Sequence, residues 1–224
     1  MTTPTIDLRR GLEALYYFDE RYFDGGANEL KDRSGNRSPM APSGGPTIGV
    51  AGPKSYDAAS LDGTDDIFTG ENSDRYSIPL SGALTVSAVF RVDAFPRSVM
   101  TVIGNQTSGG AGSQNGWRVY VDEDDIGRAD VMMAVEDSDG NGATATLAAS
   151  QPVKKWLAVS VTYDLENGIV WGTYNGNPGV NTADVSGFTA DVTGAAALTI
   201  GERPGVSDYL EGTVAFAQVN SRAL

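Results

Sequence analysis

The sequence predicts an all-β protein, built as a β-sandwich of two packed sheets. Alternation of apolar and polar residues with a period of two recurs along the chain, as in strands with one covered face. No segment keeps the helical period over three turns. Turn residues, including 28 glycines and 10 prolines, separate the alternating runs at the spacing that short strands require. We therefore expect about a dozen strands in two packed sheets.

Six runs carry the clearest alternation. In the first, Leu84, Val86, Ala88 and Phe90 share one face, and polar or small residues occupy the other. The remaining runs are residues 117–122, 129–135, 156–164, 168–175 and 213–220. The last of these is small or apolar on both faces, as in a central strand that is covered on two sides.

The turns and the domain organisation follow from the same pattern. Asn175-Gly176 predicts a type I′ hairpin turn, because both central residues of that turn need a positive φ. We interpret residues 38–53 as a long surface loop and residues 105–116 as a mobile loop between two strands. No linker is visible, so we predict a single domain over residues 1–224, of which residues 1–10 form an N-terminal arm.

The charge and the missing residue types narrow the functions. The sequence has no cysteine and no histidine, which excludes disulfides, thiolate or imidazole zinc sites and histidine-activated nucleophiles. Acidic residues number 29 against 16 basic ones, a formal charge of −13, so we expect no nucleic-acid binding. The charge also predicts a protein from a high-salt environment, where salt screens self-repulsion. An ordinary acidic bacterial or phage protein is the alternative.

A series of motifs, taken in order, resembles the concanavalin A-like jelly rolls, specifically the laminin-G-like group. The motifs are GLEALYYFDE (11–20), DRSGN (32–36), SLDGTDDIF (60–68), LTVSAVFRVDAFP (84–96), VKKWLAVSVTYD (153–164), LTIG (198–201) and NSRAL (220–224). The resemblance covers nearly the whole chain and implies a two-sheet antiparallel jelly-roll β-sandwich. Phe90 departs from it, since the family usually has Trp there, and so does WGTYNGN (171–177). The fold hosts lectins, glycosidases, adhesion modules and virion proteins, so the function stays open.

Catalytic residues are not expected. Glycosidases that share this sandwich carry E-x-D-x-x-E on one strand, which places the nucleophile and the acid on either side of the sugar. The sequence offers only Glu123 and Asp125, with Arg128 at the third position, in an acidic run typical of a turn. We therefore predict that the protein is not an enzyme.

Four aromatic residues are candidates for ligand binding: Trp117, Tyr120, Trp171 and Tyr174. Sugar recognition sets a ring against a pyranose while polar groups take the hydroxyls. Trp171 and Tyr174 are three residues apart on one predicted strand. Side chains alternate between the two faces of a strand, so at most one of the pair faces the core. The alternative is that all four fill sheet faces and rims, since aromatic residues favour strands. Trp156 is expected in the core.

The stretch EDSDGNGA (136–143) contains half of a calcium-loop pattern in Asp137, Asp139 and Asn141. The twelfth loop position, which should be Glu, is Ala148, and the sequence that follows alternates as a strand. A hairpin turn is the main interpretation, and a partial Ca²⁺ site is the alternative.

Asp62, Asp65 and Asp66 form a second candidate for Ca²⁺, because the resemblance implies calcium at a loop rim. The same block recurs in the family as a structural turn.

We predict a non-catalytic surface module, namely an exposed virion structural protein that binds a glycan or a cell surface. A capsid turret or decoration, or a tail or receptor-binding protein, of a halophilic archaeal virus would fit. A stand-alone lectin is the alternative, and a glycoside hydrolase ranks last. Predicted partners are a host cell-surface glycan, other virion proteins or a second copy of the chain, without membrane insertion. No signal peptide is apparent, so the predicted location is the virion surface, or otherwise extracellular by lysis or cytoplasmic.

Overall fold

The computed structural model describes residues 11–24, 29–107, 114–124, 126–194 and 196–224. Within them lie sixteen strands and two 3₁₀ turns, Glu20–Tyr22 and Asp74–Tyr76. The strands are β1 (Leu12–Tyr17), β2 (Ala41–Ser43), β3 (Thr47–Ala51), β4 (Asp57–Asp62), β5 (Ile67–Thr69), β6 (Ala83–Val92), β7 (Val99–Gly104), β8 (Gly116–Glu123), β9 (Ala129–Glu136), β10 (Gly142–Gln151), β11 (Trp156–Asp164), β12 (Ile169–Tyr174), β13 (Asn177–Pro178), β14 (Ala183–Asp184), β15 (Thr199–Ile200) and β16 (Glu211–Asn220). The predicted N-terminal arm, residues 1–10, lies outside the described residues.

The strands form two sheets that pack face to face. The nine-stranded sheet has the order β13-β12-β11-β6-β16-β4-β3, and in it β1 also pairs with β16 and β14 with β12. The seven-stranded sheet has the order β10-β9-β8-β7-β15-β5-β2. Each pairing in the two sheets is antiparallel. The predicted all-β, two-sheet antiparallel sandwich is therefore confirmed.

β16 is central to the nine-stranded sheet. One edge of β16 pairs with β6 along its length. The other edge is shared, because β4 pairs with residues 211–214 and β1 pairs with residues 216–220. The register with β6 shifts between Val214 and Phe216, which marks a β-bulge where β4 gives way to β1. β1 and β4 thus meet end to end beside β16.

The core lies between the sheets and uses the alternation that the sequence shows. On β6, Leu84, Val86, Ala88 and Phe90 are at most 1% exposed. The residues of β11 that pair with these four join the core from the same sheet, and β8 supplies apolar side chains from the opposite sheet. Burial of this continuous apolar interior is the main stabilising contribution in a chain without disulfides.

The predicted strands agree with the observed ones to within two residues at each end. Asn175 and Gly176 have φ values of +47° and +80°, which confirms the predicted turn with positive φ at both positions. The interpretation of residues 38–53 as one long loop is wrong, because β2 and β3 lie within it. Glycine and proline are rare in central strands, so the segment resembles a loop in sequence. Both β2 and β3 are short and lie at sheet edges, where these residues are tolerated. Of the predicted mobile loop at 105–116, residues 108–113 lie outside the described residues.

No helix in the described part of the chain is long and apolar enough to cross a membrane.

Trp117→Phe tests the packing of the core. Trp117 is fully buried, lies 5.9 Å from Tyr163 between ring centroids, and donates from Nε1 to the carbonyl oxygen of Tyr76 at 2.7 Å. We expect the substitution to lower the free energy of unfolding by about 2 to 4 kcal/mol, through the lost ring volume and hydrogen bond. The matched control is Trp171→Phe on the outer face, with an expected change within about 0.5 kcal/mol. Urea denaturation measures both, and equal losses would contradict the assignment.

Candidate functional site

A cleft of about 630 Å³ lies on the outer face of the nine-stranded sheet, where β1 and β4 meet beside β16. We call it the tyrosine cleft, after the aromatic side chains that line it: Tyr17, Tyr22, Tyr56 and Phe216. Charged side chains also reach it from the 3₁₀ turn that follows β1 and from the β3–β4 hairpin. The cleft combines an apolar lining with charged groups near its opening.

Strand register produces the floor of the cleft. Tyr17 pairs with Phe216, Phe216 with Val89, and Val89 with Ala158, across β1, β16, β6 and β11. Residues directly opposite one another on adjacent strands point to the same face, so these four side chains form one row. Tyr16, the neighbour of Tyr17, points into the core and is fully buried, whereas Tyr17 is 36% exposed.

The aromatic rings at one end of this row contact one another. The ring centroids of Tyr17 and Phe216 are 5.5 Å apart, and those of Tyr17 and Tyr22 are 5.4 Å apart. Both separations fall in the range of favourable aromatic pairs. The pairing fixes the orientation of Tyr17 and leaves part of its ring accessible.

Tyr56 is presented by the turn of the β3–β4 hairpin. The backbone N–H of Gly52 donates to the carbonyl oxygen of Tyr56 at 2.9 Å and closes the turn. A Cβ atom at Gly52 would meet that oxygen at 2.5 Å, so the close approach requires glycine. Lys54 at the tip has a φ of +57°. Tyr56 is 62% exposed, and its ring is available to a ligand.

Asp19 joins the two segments that form the cleft. Its carboxylate accepts hydrogen bonds from the backbone N, Nε and a terminal nitrogen of Arg21, at 3.0, 2.8 and 2.6 Å. It also accepts a backbone hydrogen bond from Asp57, at the start of β4. Asp19 is only 4% exposed, and the hydrogen bonds from Arg21 lower its pKa to about 2. The ionised carboxylate therefore ties the 3₁₀ turn to the hairpin.

Cations surround Tyr22. The guanidinium carbons of Arg21 and Arg33 lie 5.9 and 5.4 Å from the centre of its ring, within the range of cation–π attraction. Lys54 is exposed and also lines the cleft. Ring faces beside charged hydrogen-bonding groups suit a ligand with an apolar face and polar edges.

The four aromatic residues predicted to bind a ligand do not come together. Trp117 is in the core, so its ring faces no solvent and cannot stack on a sugar. Tyr120 points to the outer face of the seven-stranded sheet, where the guanidinium of Arg118 lies 4.0 Å from its ring centre and leaves it 8% exposed.

Trp171 and Tyr174 differ in orientation, as their parity predicts. Tyr174 packs against the core, while Trp171 pairs with Thr162 on the outer face of the nine-stranded sheet. Trp171 and Tyr120 therefore lie on opposite outer faces of the sandwich. Trp156 was expected in the core, and this is wrong: it points outward beneath the guanidinium of Arg91, at 5.3 Å.

Asp137 stabilises the β9–β10 hairpin turn. Its carboxylate accepts backbone hydrogen bonds from Asp139, Asn141, Thr189 and Ala190, and one from Nδ2 of Asn141. Burial raises the pKa of Asp137, but these hydrogen bonds outweigh it and place the pKa below its ordinary value. The hairpin interpretation of residues 136–143 is confirmed. Calcium at Asp137, Asp139 and Asn141 stays a prediction, and it would displace N–H donors from Asp137.

The three aspartates of the β4–β5 turn do come together. Among the described residues, Asp62, Asp65 and Asp66 form the one acidic group whose oxygens lie within 4.8 Å of one another. Burial raises the pKa of Asp66, and the neighbouring carboxylates raise it further. Oxygen ligands at this spacing suit Ca²⁺, but the backbone N–H groups of Thr64 and Asp62 already occupy part of the set, at 2.8 and 3.0 Å. Calcium at this turn also stays a prediction.

The remaining acidic candidates lie near the β8–β9 turn. Glu123 ends β8 and is exposed, and Asp125 lies outside the described residues. Asp124 between them accepts backbone hydrogen bonds from Ile126 and Arg128, at 3.0 and 2.8 Å. The run is a turn, as the sequence indicates.

Sequence reasoning missed the tyrosine cleft, although local signals for part of it exist. Adjacent residues on a strand face opposite ways, so one ring of the Tyr16–Tyr17 doublet had to point outward. Tyr56 stands in a run of turn residues, where a buried position is unusual. Phe216 carries no such signal, because its exposure depends on a register set by residues far away in the chain.

The fold defines the class of protein as a concanavalin A-like jelly roll. The family model described as the concanavalin A-like lectin/glucanases superfamily matches residues 61–224, and the chain belongs to this family. No curated protein sequence matches the chain.

Solved structures share the architecture at low identity. The binding domain of Paraclostridial Mosquitocidal Protein 1 superposes with a TM-score of 0.74 at 11% identity, over 97% of this chain and 50% of that one. The ligand binding domain of botulinum neurotoxin serotype D in complex with N-acetylneuraminic acid gives 0.68 at 12%, over 96% and 48%. Trypanosoma rangeli sialidase with 2,3-difluorosialic acid gives 0.66 at 12%, over 99% and 32%. The chain spans about half the length of the toxin structures, and the likeness shows the fold.

Asp19→Asn tests whether the carboxylate ties the cleft together. A carboxyl group whose pKa is lowered on folding stabilises the folded state above its unfolded pKa of ~3.9 and loses that effect as the pH falls through its folded pKa. We expect the variant to lose about 1 kcal/mol at pH 7, because Arg21 is exposed and water screens the pair. The difference from wild type should shrink between pH 4 and the folded pKa of about 2.

Urea denaturation across this pH range measures the effect, and the exposed Asp74→Asn variant is the control. A loss of stability that is the same at pH 7 and at pH 2 would contradict an ionised Asp19.

Proposed function

We propose that the protein is a non-catalytic carbohydrate-binding module and that the tyrosine cleft is its sugar site. The observation that carries the proposal is the exposure of Tyr56 at 62% and of Tyr17 at 36%, since both side chains line the same cleft. Exposed aromatic rings that converge on a concave surface are a common platform for the apolar face of a pyranose. The sugar hydroxyls would bind Arg21, Lys54 and Asp57 at the cleft opening.

The relatives support a glycan ligand. The matching family contains lectins and glucanases. Binding domains of clostridial toxins share the architecture, and one of those structures holds N-acetylneuraminic acid. Another holds a sialyl ligand. These proteins differ from the chain in nearly nine of ten aligned residues, so they favour the class of ligand and not a particular sugar.

Asp19 in the cleft lacks the property that a glycosidase requires of its catalytic acid. A glycosidase needs one carboxylic acid that is protonated at the working pH, which requires a raised pKa. Asp19 has the opposite property, since Arg21 holds its pKa at about 2. It is an acceptor for fixed N–H groups and holds the cleft in shape.

The wider role stays as the sequence predicted it. An exposed virion protein, a host-surface glycan as its partner, a homo-oligomer, a high-salt source and a virion-surface location are all compatible with a sugar-binding module.

Tyr56→Ala should abolish most sugar binding. The ring is largely exposed, so its loss removes a stacking surface without disturbing the core. On a glycan array, and then by calorimetry with the strongest ligand, we expect about a tenfold or larger loss of affinity, equivalent to about 1.4 kcal/mol or more. Tyr56→Phe keeps the ring and should retain most of the affinity.

The control is Ile126→Ala, since Ile126 is 69% exposed at the β8–β9 turn of the other sheet. Unchanged binding by Tyr56→Ala, or an array with no bound glycan, would refute the proposal.

A further inference from the structure

We infer that the ligand of the tyrosine cleft is a linear oligosaccharide of three or more units, which lies across the strands along the row from Tyr17 to Ala158. The inference rests on the proposed function and adds the length and direction of the ligand. It follows from the continuation of the cleft over four strands, from the polar residues beside it and from the walls on both sides.

The floor of the cleft continues well beyond the tyrosines. The row of Tyr17, Phe216, Val89 and Ala158 crosses β1, β16, β6 and β11, and all four residues line the cleft. Three steps of ~4.8 Å between neighbouring strands make the row roughly 14 Å long. A pyranose unit is about as long as one such step, so each sugar of a bound chain would cover about one strand. A monosaccharide at the tyrosines would leave Val89 and Ala158 uncovered.

A polar row runs beside the apolar one. Two residues further along the strands, Gln218 pairs with Ser87, Ser87 with Ser160, and Ser160 with Thr173. Because the displacement is two residues, these side chains point to the same outer face as the apolar row. All four are partly exposed. An oligosaccharide has apolar ring faces and hydroxyl-bearing edges, and the two parallel rows match that division.

The hydroxyl groups of the polar row have capacity left for a ligand. Ser87 Oγ donates to Ser160 Oγ at 3.0 Å. The proton of Ser160 is therefore free to point toward a bound sugar, since a hydroxyl that accepts one bond still donates one. The pair thus offers one donor next to the apolar floor.

Walls on both sides set the direction of the ligand. On one side, Arg91 forms two hydrogen bonds with Asp93, at 2.7 and 3.0 Å, and lies over the ring of Trp156. On the other side, the carbonyl oxygen of Arg222 accepts a hydrogen bond from Thr85 Oγ1 at 2.7 Å, so the C-terminal segment covers that part of the sheet. The trough between them is open along the direction that crosses the strands.

The far end of the trough is accessible. Ala158 is exposed, and the next position in the row belongs to Asn175 of the exposed hairpin turn, whose backbone N–H donates to the carbonyl oxygen of Ala158 at 2.7 Å. The side chain of Asn175 is held against the strand, since its Oδ1 accepts a hydrogen bond from the backbone N–H of Ala158 at 2.9 Å. A longer side chain at position 158 would block the trough there without entering the core.

The test measures affinity against ligand length. Isothermal titration would use series of one to six units of glucose, N-acetylglucosamine and N-acetylneuraminic acid with the full chain. For the series that binds, we expect the affinity to rise at least tenfold from one unit to three and to level off near four. Ala158→Gln should remove this gain and keep the affinity for one unit. The matched control is Ala149→Gln, an exposed alanine on a strand of the other sheet, which should behave as wild type.

Each other outcome overturns a defined claim. Affinity that does not depend on length, or a gain that survives Ala158→Gln, contradicts the extended ligand and leaves the sugar site standing. Binding that depends on Ala158 but not on Tyr56 places the ligand elsewhere on the sheet and contradicts both. If no series binds and the array is also blank, the sugar function itself fails. Melting temperatures of both variants confirm that each is folded.

Discussion

β16 pairs with three strands through two edges, and the position of the candidate site follows from that constraint. β6 takes one whole edge, so β4 and β1 divide the other and meet end to end. A bulge at this junction adjusts the register and places Phe216 on the outer face beside Tyr17. The gap between the two strand ends becomes a cleft, and Asp19 bridges it by accepting N–H groups from both sides.

The use of Asp19 is one instance of how this chain employs its many aspartates. Asp66, Asp137, Asp164 and Asp208 are each at most 7% exposed, and each accepts at least one backbone N–H from a nearby turn. Loops of a sandwich leave backbone donors without partners in the sheets, and short carboxylates satisfy them. Part of the acidic composition is therefore structural. The same property explains why a calcium-like spacing at 137–141 forms a well-bonded hairpin turn.

The fold could be predicted from the sequence because the patterns that indicate it lie within single strands and turns. Period-two alternation at β6, β11 and β16 reflects which face is covered, and turn residues reflect the φ values that hairpins need. Burial of Trp117 could also have been predicted, since Trp117 lies on the same face of β8 as Val119 and Val121, which are fully buried. Parity also assigned Trp171 and Tyr174 to opposite faces, but not which face was the core.

The candidate site could not be predicted, because it depends on pairing between strands that are far apart in the sequence. Tyr17 meets Phe216 only through the pairing of the first and last strands, across almost the entire chain. The row continues to Ala158 only through registers that two further strand pairs fix. Local patterns show which residues of a strand share a face, but they show neither the partner strand nor the register. The short strands β2 and β3 were missed for a related reason, since only their pairing distinguishes them from loop.

The most direct test of the central claim is to map the bound sugar onto the sandwich. Amide chemical shifts of the 23.4 kDa chain can be followed by NMR while the strongest glycan of the array is added. The account predicts that the largest changes fall at Tyr17, Tyr56 and Phe216 and extend toward Ala158. Largest changes around Tyr120 and Met132, on the outer face of the seven-stranded sheet, would contradict it.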